Sequence, residues 1–355
     1  MNFLQKLYQS IFEKAMQGLT LGLFASVVLG TILEQIGIVV GGEYQAEIIA
    51  VAMVIKKMVG VCIGVGVATK LDAKPLVCAC AAVVGYVGAF SQNIFDYAKM
   101  GGNIVFANDV GEPITAFVAA YVAVCLGSFI ASKTKIDYII TPVISIIPGI
   151  MVAKYVGHPV SMAMKRLGEI IDWSTTQNPV IMGMVIAVFM GLALTFPISS
   201  IAIAIALNLT GQAAGAAAIG CCVNMVGFAA ASFKDNKFDG FLVQSIGTST
   251  VQMPNIIKNP AILIPVVATS AVLGPVAICV CGIVSTTDAA GVGSCAFMAQ
   301  ISTYKTMIEL GNNRNVSLVY IMLMTFILPA IMSWVISEGL RKKGLIKDND
   351  MSIII

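Results

Sequence analysis

The sequence predicts an all-α polytopic membrane protein, with about ten transmembrane helices and one or two re-entrant hairpins. Two observations predict this class. Of the 355 residues, 58% are hydrophobic and 11% are charged, whereas soluble domains are about 25% charged. In addition, residues 174–233 contain no Asp, Glu, Lys or Arg. Because about 20 apolar residues cross a bilayer as a helix, this stretch alone offers about two crossings.

The apolar runs, bounded by charges or turn residues, predict the crossings in order. They are residues 17–40, 48–69, 75–94, 114–132, 138–156, 179–207, 211–232, 261–284 and 316–337. Pro197 and residues 208–211 are expected to break the helical pattern in the second half. Residues 241–258 are too short and too polar to cross and are interpreted as re-entrant, and residues 285–294 form a second candidate.

The order of these runs predicts four parts. Residues 1–157 form an N-terminal membrane subdomain, with an amphipathic start and five transmembrane helices. Residues 158–173 form an amphipathic interfacial crossover helix, because apolar residues recur on one face at helical spacing. Residues 174–338 form a C-terminal membrane subdomain that binds substrate, and residues 339–355 form a basic cytoplasmic tail.

Lysine and arginine in short loops predict the orientation. Arg341, Lys342 and Lys343 place the C-terminus in the cytoplasm, and Lys6 and Lys14 place the N-terminus there too. The chain is therefore expected to be a multi-pass protein of a bacterial plasma membrane with both termini cytoplasmic.

Composition argues against several function classes. The formal net charge of +3 is too small to indicate a nucleic-acid partner. One histidine and nine cysteines in mostly apolar surroundings form no zinc set, so we predict no metal and no cofactor. No HExxH, Walker or Gly-x-Ser-x-Gly motif is present, which argues against catalysis by the chain. The glycines at 60, 64 and 66 predict close helix packing.

A polar segment in the last third, residues 244–255, is the candidate solute site. Non-helical backbone is tolerated at membrane depth only where it is buried in protein or lines a wet cavity. Neutral donors and acceptors suit a small, polar, hydroxylated and uncharged solute. The predicted substrate-binding residues are Gln244, Thr248, Ser249, Gln252, Asn255, Asn224 and His158. The alternative is that these side chains satisfy only the freed backbone of a broken helix.

Two ionisable residues have separate hypotheses. Asp288 lies near several Gly and Thr residues in an apolar neighbourhood and is the candidate for ion or proton coupling. The alternative for Asp288 is a helix N-cap that faces water. His158, in a Gly-His-Pro sequence, is either a helix cap, a hydrogen-bonding partner of the solute, or a group that titrates near neutral pH.

The sequence also carries a family resemblance. The run MPNIIKNPAILIP at residues 253–265, with Gly274-Pro275 downstream, resembles a stretch in sugar phosphotransferase membrane subunits, the EIIC superfamily. The signature GTSTVQMP at residues 247–254 and the first 18 residues resemble a smaller EIIC-like family that includes the clostridial perfringolysin O regulator, PfoR. The resemblance implies the EIIC-like fold, a homodimer formed through the first half and a mobile second half.

The departures from the resembled family define the functional alternatives. Sugar EIIC proteins use a hairpin glutamate to bind the sugar and to help its phosphorylation, but residues 247–250 contain no acid. We expect no fused phosphorylation domain either, which leaves room for separate cytoplasmic phosphotransferase subunits. The resemblance therefore implies a transporter of a sugar-like solute that works without phosphorylation. The alternative is a membrane regulator or sensor of gene expression that transports nothing and signals through its tail.

Overall fold

A computed structural model describes residues 9–100, 111–133, 136–198 and 200–353. Within these ranges the secondary structure is helical, apart from an isolated bridge between Gly211 and Ser285. Short π-helical turns continue several of the helices. The helices are α1 (Met16–Val40), α2 (Tyr44–Lys57), α3 (Val59–Lys70), α4 (Pro75–Ala89), α5 (Ser91–Met100), α6 (Pro113–Ile130), α7 (Asp137–Thr175), α8 (Pro179–Thr195), α9 (Ser200–Ala206), α10 (Gly211–Ala231), α11 (Phe233–Leu242), α12 (Met253–Lys258), α13 (Pro260–Cys279), α14 (Thr287–Ala290), α15 (Met298–Glu309) and α16 (Arg314–Lys342).

Six helices in the described part of the chain are long and apolar enough to cross a membrane, and α2 with α3 can make a seventh span. The six are α1, α6, α7, α10, α13 and α16. Two further apolar helices, α4 and α8, have 15 and 17 residues. At 1.5 Å per residue each is somewhat shorter than the hydrocarbon core, which is about 30 Å thick. A total of about ten crossings, with re-entrant hairpins, stays a prediction.

Three boundaries can be compared with the expected helix breaks. The break predicted at Pro197 is confirmed, because α8 ends at Thr195 and the next helix starts at Ser200. The crossing predicted over residues 48–69 corresponds to α2 and α3, which can make one span although they are bent by 49° where Met58 leaves the helical conformation. The third boundary, between residues 157 and 158, lies inside a continuous helix, because α7 runs through Pro159 for 39 residues. A proline removes one hydrogen bond and can bend a helix without ending it.

The chain forms two compact units, Met1–Ala163 and Met164–Ile355. The division into four parts with a distinct crossover helix stays a prediction. Residues 1–8, including Lys6, lie outside the described residues, and they form the first part of the predicted amphipathic start.

The first unit is held together by helices that touch through their backbones. A Cβ atom on Gly60 would lie 2.3 Å from the carbonyl oxygen of Gly85, and one on Gly64 would lie 2.1 Å from that of Ala81. Real Cβ atoms do not come so close, so only glycine permits the crossing of α3 and α4. The close packing predicted for these glycines is confirmed, and it is a common device between membrane helices.

The second unit is built around α10, a helix that is buried on all sides. In its most apolar stretch of 18 residues, 94% is buried within the protein. The helix packs against α8, α13 and α16. An apolar helix with no solvated face belongs in the interior of a unit. The polar turn Val243–Gly247 also packs against α10. The central helix therefore brings the candidate site next to the three helices that surround it.

Candidate functional site

The polar segment consists of three short helical pieces rather than one helix. A π-helical turn covers Val243–Gly247, a 3-10 turn covers Ser249–Gln252, and α12 follows. Thr248 separates the first two pieces with extended dihedral angles, φ −160° and ψ 146°. Pro254 lies in the first turn of α12, where its missing N–H would have no helical partner in any case. Because the helix is broken at these points, polar side chains that are neighbours in the sequence point in different directions within the core of the second unit.

One group of these side chains forms what we call the hydroxyl cluster, made of Thr195, Asn224, Ser249 and Ser270. The Thr195 and Ser249 hydroxyl oxygens lie 2.9 Å apart, and Thr195 lies 3.0 Å from Asn224 Oδ1. Asn224 Nδ2 donates to Ser270 Oγ at 3.4 Å and to the Gly220 carbonyl at 3.1 Å. All four side chains are 0% exposed. Because α8, α10, α13 and the 3-10 turn each supply one member, the cluster joins four elements.

A second group, the amide chain, consists of Ser232, Gln244, Gln252 and Asn255. Asn255 Nδ2 donates to Gln252 Oε1 at 2.8 Å, and Gln252 Nε2 donates to Gln244 Oε1 at 2.8 Å. Gln244 Nε2 in turn donates to Ser232 Oγ and to the Gly240 carbonyl, both at 2.9 Å. Side-chain amides donate and accept, so each one extends the chain in both directions.

The amide chain ends on the backbone of the C-terminal tail. Gln252 Nε2 donates to the Met351 carbonyl at 3.0 Å, and Asn255 Nδ2 donates to the Ser352 carbonyl at 2.8 Å. Each amide has two N–H donors, and all donors of Gln244, Gln252 and Asn255 are thereby paired. A buried donor that loses its acceptor costs about 1–3 kcal/mol. The tail carbonyls therefore complete this part of the structure.

Some of the polar bonds in the segment serve the freed backbone. Thr248 and Thr250 share a bond of 2.9 Å, and the Thr250 hydroxyl donates to the carbonyl of Leu194 at 3.0 Å, near the end of α8. The alternative interpretation, in which the polar side chains only satisfy freed backbone groups, accounts for the bond from Thr250 to the Leu194 carbonyl. It also accounts for the bond from Gln244 to the Gly240 carbonyl. It does not account for the hydroxyl cluster, whose side chains bond mainly to each other.

The site is electrically neutral. From Gly240 to Ile257 the chain has no Asp, Glu, Lys, Arg or His. The residues that the structure describes contain no group of three or more His, Cys, Asp and Glu side chains that could hold a metal. Neutral donors and acceptors can exchange hydrogen bonds with hydroxyl groups, but they cannot compensate a buried charge.

His158 and Asp288 belong to neither group. His158 is exposed and lies in the first unit, where it lines a cavity of about 170 Å³ with Gln92, Lys154 and Tyr155. Asp288 is exposed in the first turn of α14, next to Thr287, whose hydroxyl donates to the Leu209 carbonyl at 2.8 Å. The solute-binding role of His158 and the coupling role of Asp288 stay predictions.

Several members of the two groups were not predicted from the sequence. Thr195 connects Ser249 to Asn224, and its position two residues before the predicted break at Pro197 is a usable signal. Ser232 and Ser270 carry no such signal, because isolated serines are common in apolar helices. The tail carbonyls carry no signal in the sequence, since every residue has a backbone carbonyl group.

The comparisons with known proteins decide the family. The family profile described as "Phosphotransferase system, EIIC" matches residues 13–353. The chain belongs to the EIIC family. A comparison with curated proteins finds no match for it. Together with its apolar helices, membership makes this EIIC protein a multi-pass membrane protein of the sugar-transporter kind. The resemblance to EIIC subunits is confirmed, and the narrower likeness to the perfringolysin O regulator stays a prediction.

Proposed function

We propose that this EIIC protein binds and translocates a small, uncharged, sugar-like solute through the hydroxyl cluster and the amide chain. The observation that supports the proposal is a buried, neutral hydrogen-bond network in the second unit, made largely of the residues predicted for this role. Four of the predicted residues in the network, Asn224, Gln244, Ser249 and Gln252, are 0% exposed, and Asn255 is half-buried. A network of this kind is costly to bury unless each group is paired, so a solute that pairs with it is held specifically.

The chemistry favours sugars and polyols over organic acids. A solute hydroxyl both donates and accepts, as do the side chains of Ser249, Gln252 and Asn255. A carboxylate would need a cationic partner at the same depth, and a buried charge without one is strongly unfavourable. The nearest basic residue along the chain, Lys258, lies outside the neutral segment.

We further propose that the solute leaves unmodified. The segment from Gln244 to Asn255 has no carboxylate that could assist transfer of a phosphoryl group. In this proposal the protein is a homodimer in a bacterial plasma membrane, with both termini in the cytoplasm. His158 contributes a hydrogen bond to the solute, and Asp288 acts in ion or proton coupling.

A ligand screen on the purified protein tests the binding step. Sugars, polyols and organic acids are added separately, and the melting temperature is measured in detergent. A ligand at 100 times its dissociation constant stabilises the native state by about 2.7 kcal/mol. We expect at least one neutral polyhydroxylated solute to raise the melting temperature and the organic acids to have no effect. Stabilisation by the acids alone would refute the proposal.

Uptake into liposomes tests translocation and its independence of phosphorylation. The protein is reconstituted without any phosphoryl donor, and the labelled solute from the screen is supplied outside. We expect accumulation of the unmodified solute inside protein-containing vesicles and none in protein-free vesicles. A protein that binds the solute but accumulates it only with phosphotransferase subunits and a phosphoryl donor would contradict this part of the proposal.

The second candidate is a membrane regulator or sensor. It is favoured by the direct contact between the amide chain and the tail, through Gln252 and Met351. A regulator would use that contact to pass solute occupancy to a cytoplasmic partner. Removal of residues 345–355 separates the two functions: a transporter retains uptake, whereas a regulator that signals through the tail loses its output and shows no uptake in either form.

A further inference from the structure

The C-terminal tail folds back onto the second unit. Gly344 follows α16 with a φ of +73°, a conformation that glycine adopts easily, and the chain reverses there. Beyond it, Ile346 is 2% exposed and Met351 is 0% exposed, in an apolar cluster with Phe228, Ile256 and Ile262. Two apolar anchors five residues apart therefore hold the tail against the elements that carry the amide chain.

Polar contacts outside the proposed site hold the same tail. Asn236 Nδ2 donates to the Met351 carbonyl at 2.8 Å, and its Oδ1 accepts from the Ile353 N–H at 2.8 Å. Asn259 Nδ2 donates to Asp350 Oδ2 at 2.7 Å. The tail is thus paired on both sides of the residues that meet Gln252 and Asn255.

An ion pair lies near the end of α16, just before the tail begins. Arg341 Nη2 lies 2.8 Å from Asp235 Oδ2, and the two side chains are 8% and 4% exposed. Arg341 also lies 3.4 Å from Asp348 Oδ1, and the Asn349 N–H lies 3.4 Å from Asp235 Oδ1. Asp235 is therefore bound both by the last turns of α16 and by the tail that follows.

We propose that residues 344–353 are a strap that closes the proposed solute site and that must be displaced for solute to bind. This inference rests on the proposed function, because it concerns regulation of the same site. The Met351 and Ser352 carbonyls take one donor each from Gln252 and Asn255. Those are the donors that a solute hydroxyl would need, so strap and solute compete for them.

The competition has a measurable consequence. When only a fraction of the protein has the strap open, the apparent dissociation constant equals the intrinsic one divided by that fraction. A variant that weakens the strap without changing the site raises the open fraction, and it therefore binds solute more tightly. A substitution inside the site would have the opposite effect.

The test uses the full chain with strap variants that leave the amide chain intact. Asn236→Ala removes two bonds to the tail, and Asp350→Ala removes one of the two acceptors of Asn259 Nδ2, the other being the Leu345 carbonyl. Asn312→Ala, in an exposed loop of the same unit, is the matched control. Dissociation constants for the sugar or polyol found in the screen are measured by calorimetry. We expect both strap variants to bind about tenfold more tightly than wild type, and the control to bind like wild type.

Hydrogen exchange of the tail supplies a second readout. We expect amides of residues 345–353 to exchange slowly in wild type, faster in Asn236→Ala, and faster in wild type when solute is added.

Each outcome bears on a different claim. If wild type and both variants bind with equal affinity, and solute leaves the tail protected, the strap is refuted and the proposed function stands. If both variants bind more tightly than wild type and added solute speeds exchange of the tail amides, the strap is supported. If neither wild type nor the variants bind any neutral solute, the proposed function fails, and the strap fails with it as a closure of that site.

Discussion

The two units of this EIIC protein use their buried polar side chains in different ways. In the first unit, the buried hydroxyls of Ser26 and Thr31 each donate to the carbonyl four residues earlier in their own helix. In the second unit, Ser249 reaches Thr195 across 54 residues of the chain, and Gln252 reaches the Met351 carbonyl across 99.

The difference indicates what each unit is built for. A hydroxyl that bonds to its own helix adds little to tertiary structure. Both units have close glycine contacts between helices, at Gly64 in the first unit and at Gly220 in the second. A network that spans distant parts of the chain fixes the arrangement of several elements and leaves a polar interior. The second unit therefore contains the buried polar network to which we assign solute binding in our proposal.

The first unit also contains an ion pair, between Lys56 of α2 and Glu34 of α1. The two side chains are 13% and 17% exposed. Charges in such surroundings are stabilised by pairing with each other. The pair accounts for Lys56, one of two charged residues in the second apolar run.

The largest expected effect tests the glycine contacts of the first unit. In Gly64→Ala, the new Cβ would lie 2.1 Å from the Ala81 carbonyl oxygen, so α3 and α4 must separate. We expect a loss of about 3 kcal/mol in the free energy of unfolding. The matched control is Gly339→Ala in α16, where nothing lies within 4 Å, and it should be neutral or slightly stabilising. Equal melting temperatures for the two variants would contradict the close packing of α3 against α4 at Gly64.

A smaller effect is expected in the hydroxyl cluster of the second unit. Asn224→Ala removes the bonds to Thr195 and Ser270 and leaves a void beside Gly191, where a Cβ atom would lie 2.0 Å from Asn224 Nδ2. We expect destabilisation of about 2 kcal/mol together with loss of solute binding. Denaturant titration and calorimetry measure the two effects separately. Retention of full affinity would remove Asn224 from the proposed site.

The smallest effect is expected for a local hydroxyl of the first unit. Thr31 is 1% exposed, and its hydroxyl donates to the Val27 carbonyl at 2.8 Å. Thr31→Val keeps the shape and removes that bond, so we expect a change of less than about 1 kcal/mol and an unchanged affinity for solute. A cost as large as that of Asn224→Ala would erase the distinction between the two units.

The sequence predicted the helices better than the contacts between them. Apolar runs predicted the six long apolar helices because hydrophobicity and segment length are local properties of the sequence. Pro197 marked a true break because a proline lacks the backbone N–H that a helix needs. The continuity of α7 and the bend at Met58 were missed, because they depend on packing around the helix. The polar residues 244–255 were recognisable as a group, but their partners Thr195 and Met351 were not. Those partners are set by tertiary folding over long stretches of chain.

The central claim is that the neutral network of the second unit binds the solute, and a paired calorimetric titration tests it most directly. The site variant is Ser249→Ala with Gln252→Ala. The control is Ser333→Ala with Gln300→Ala, which removes a buried hydroxyl bonded to Thr269 at 3.1 Å and a buried amide bonded to Cys222 at 3.5 Å. We predict that the control binds the solute like wild type, whereas the site variant has the same expression and oligomeric state but no detectable binding. Wild-type affinity in a folded site variant would contradict the account.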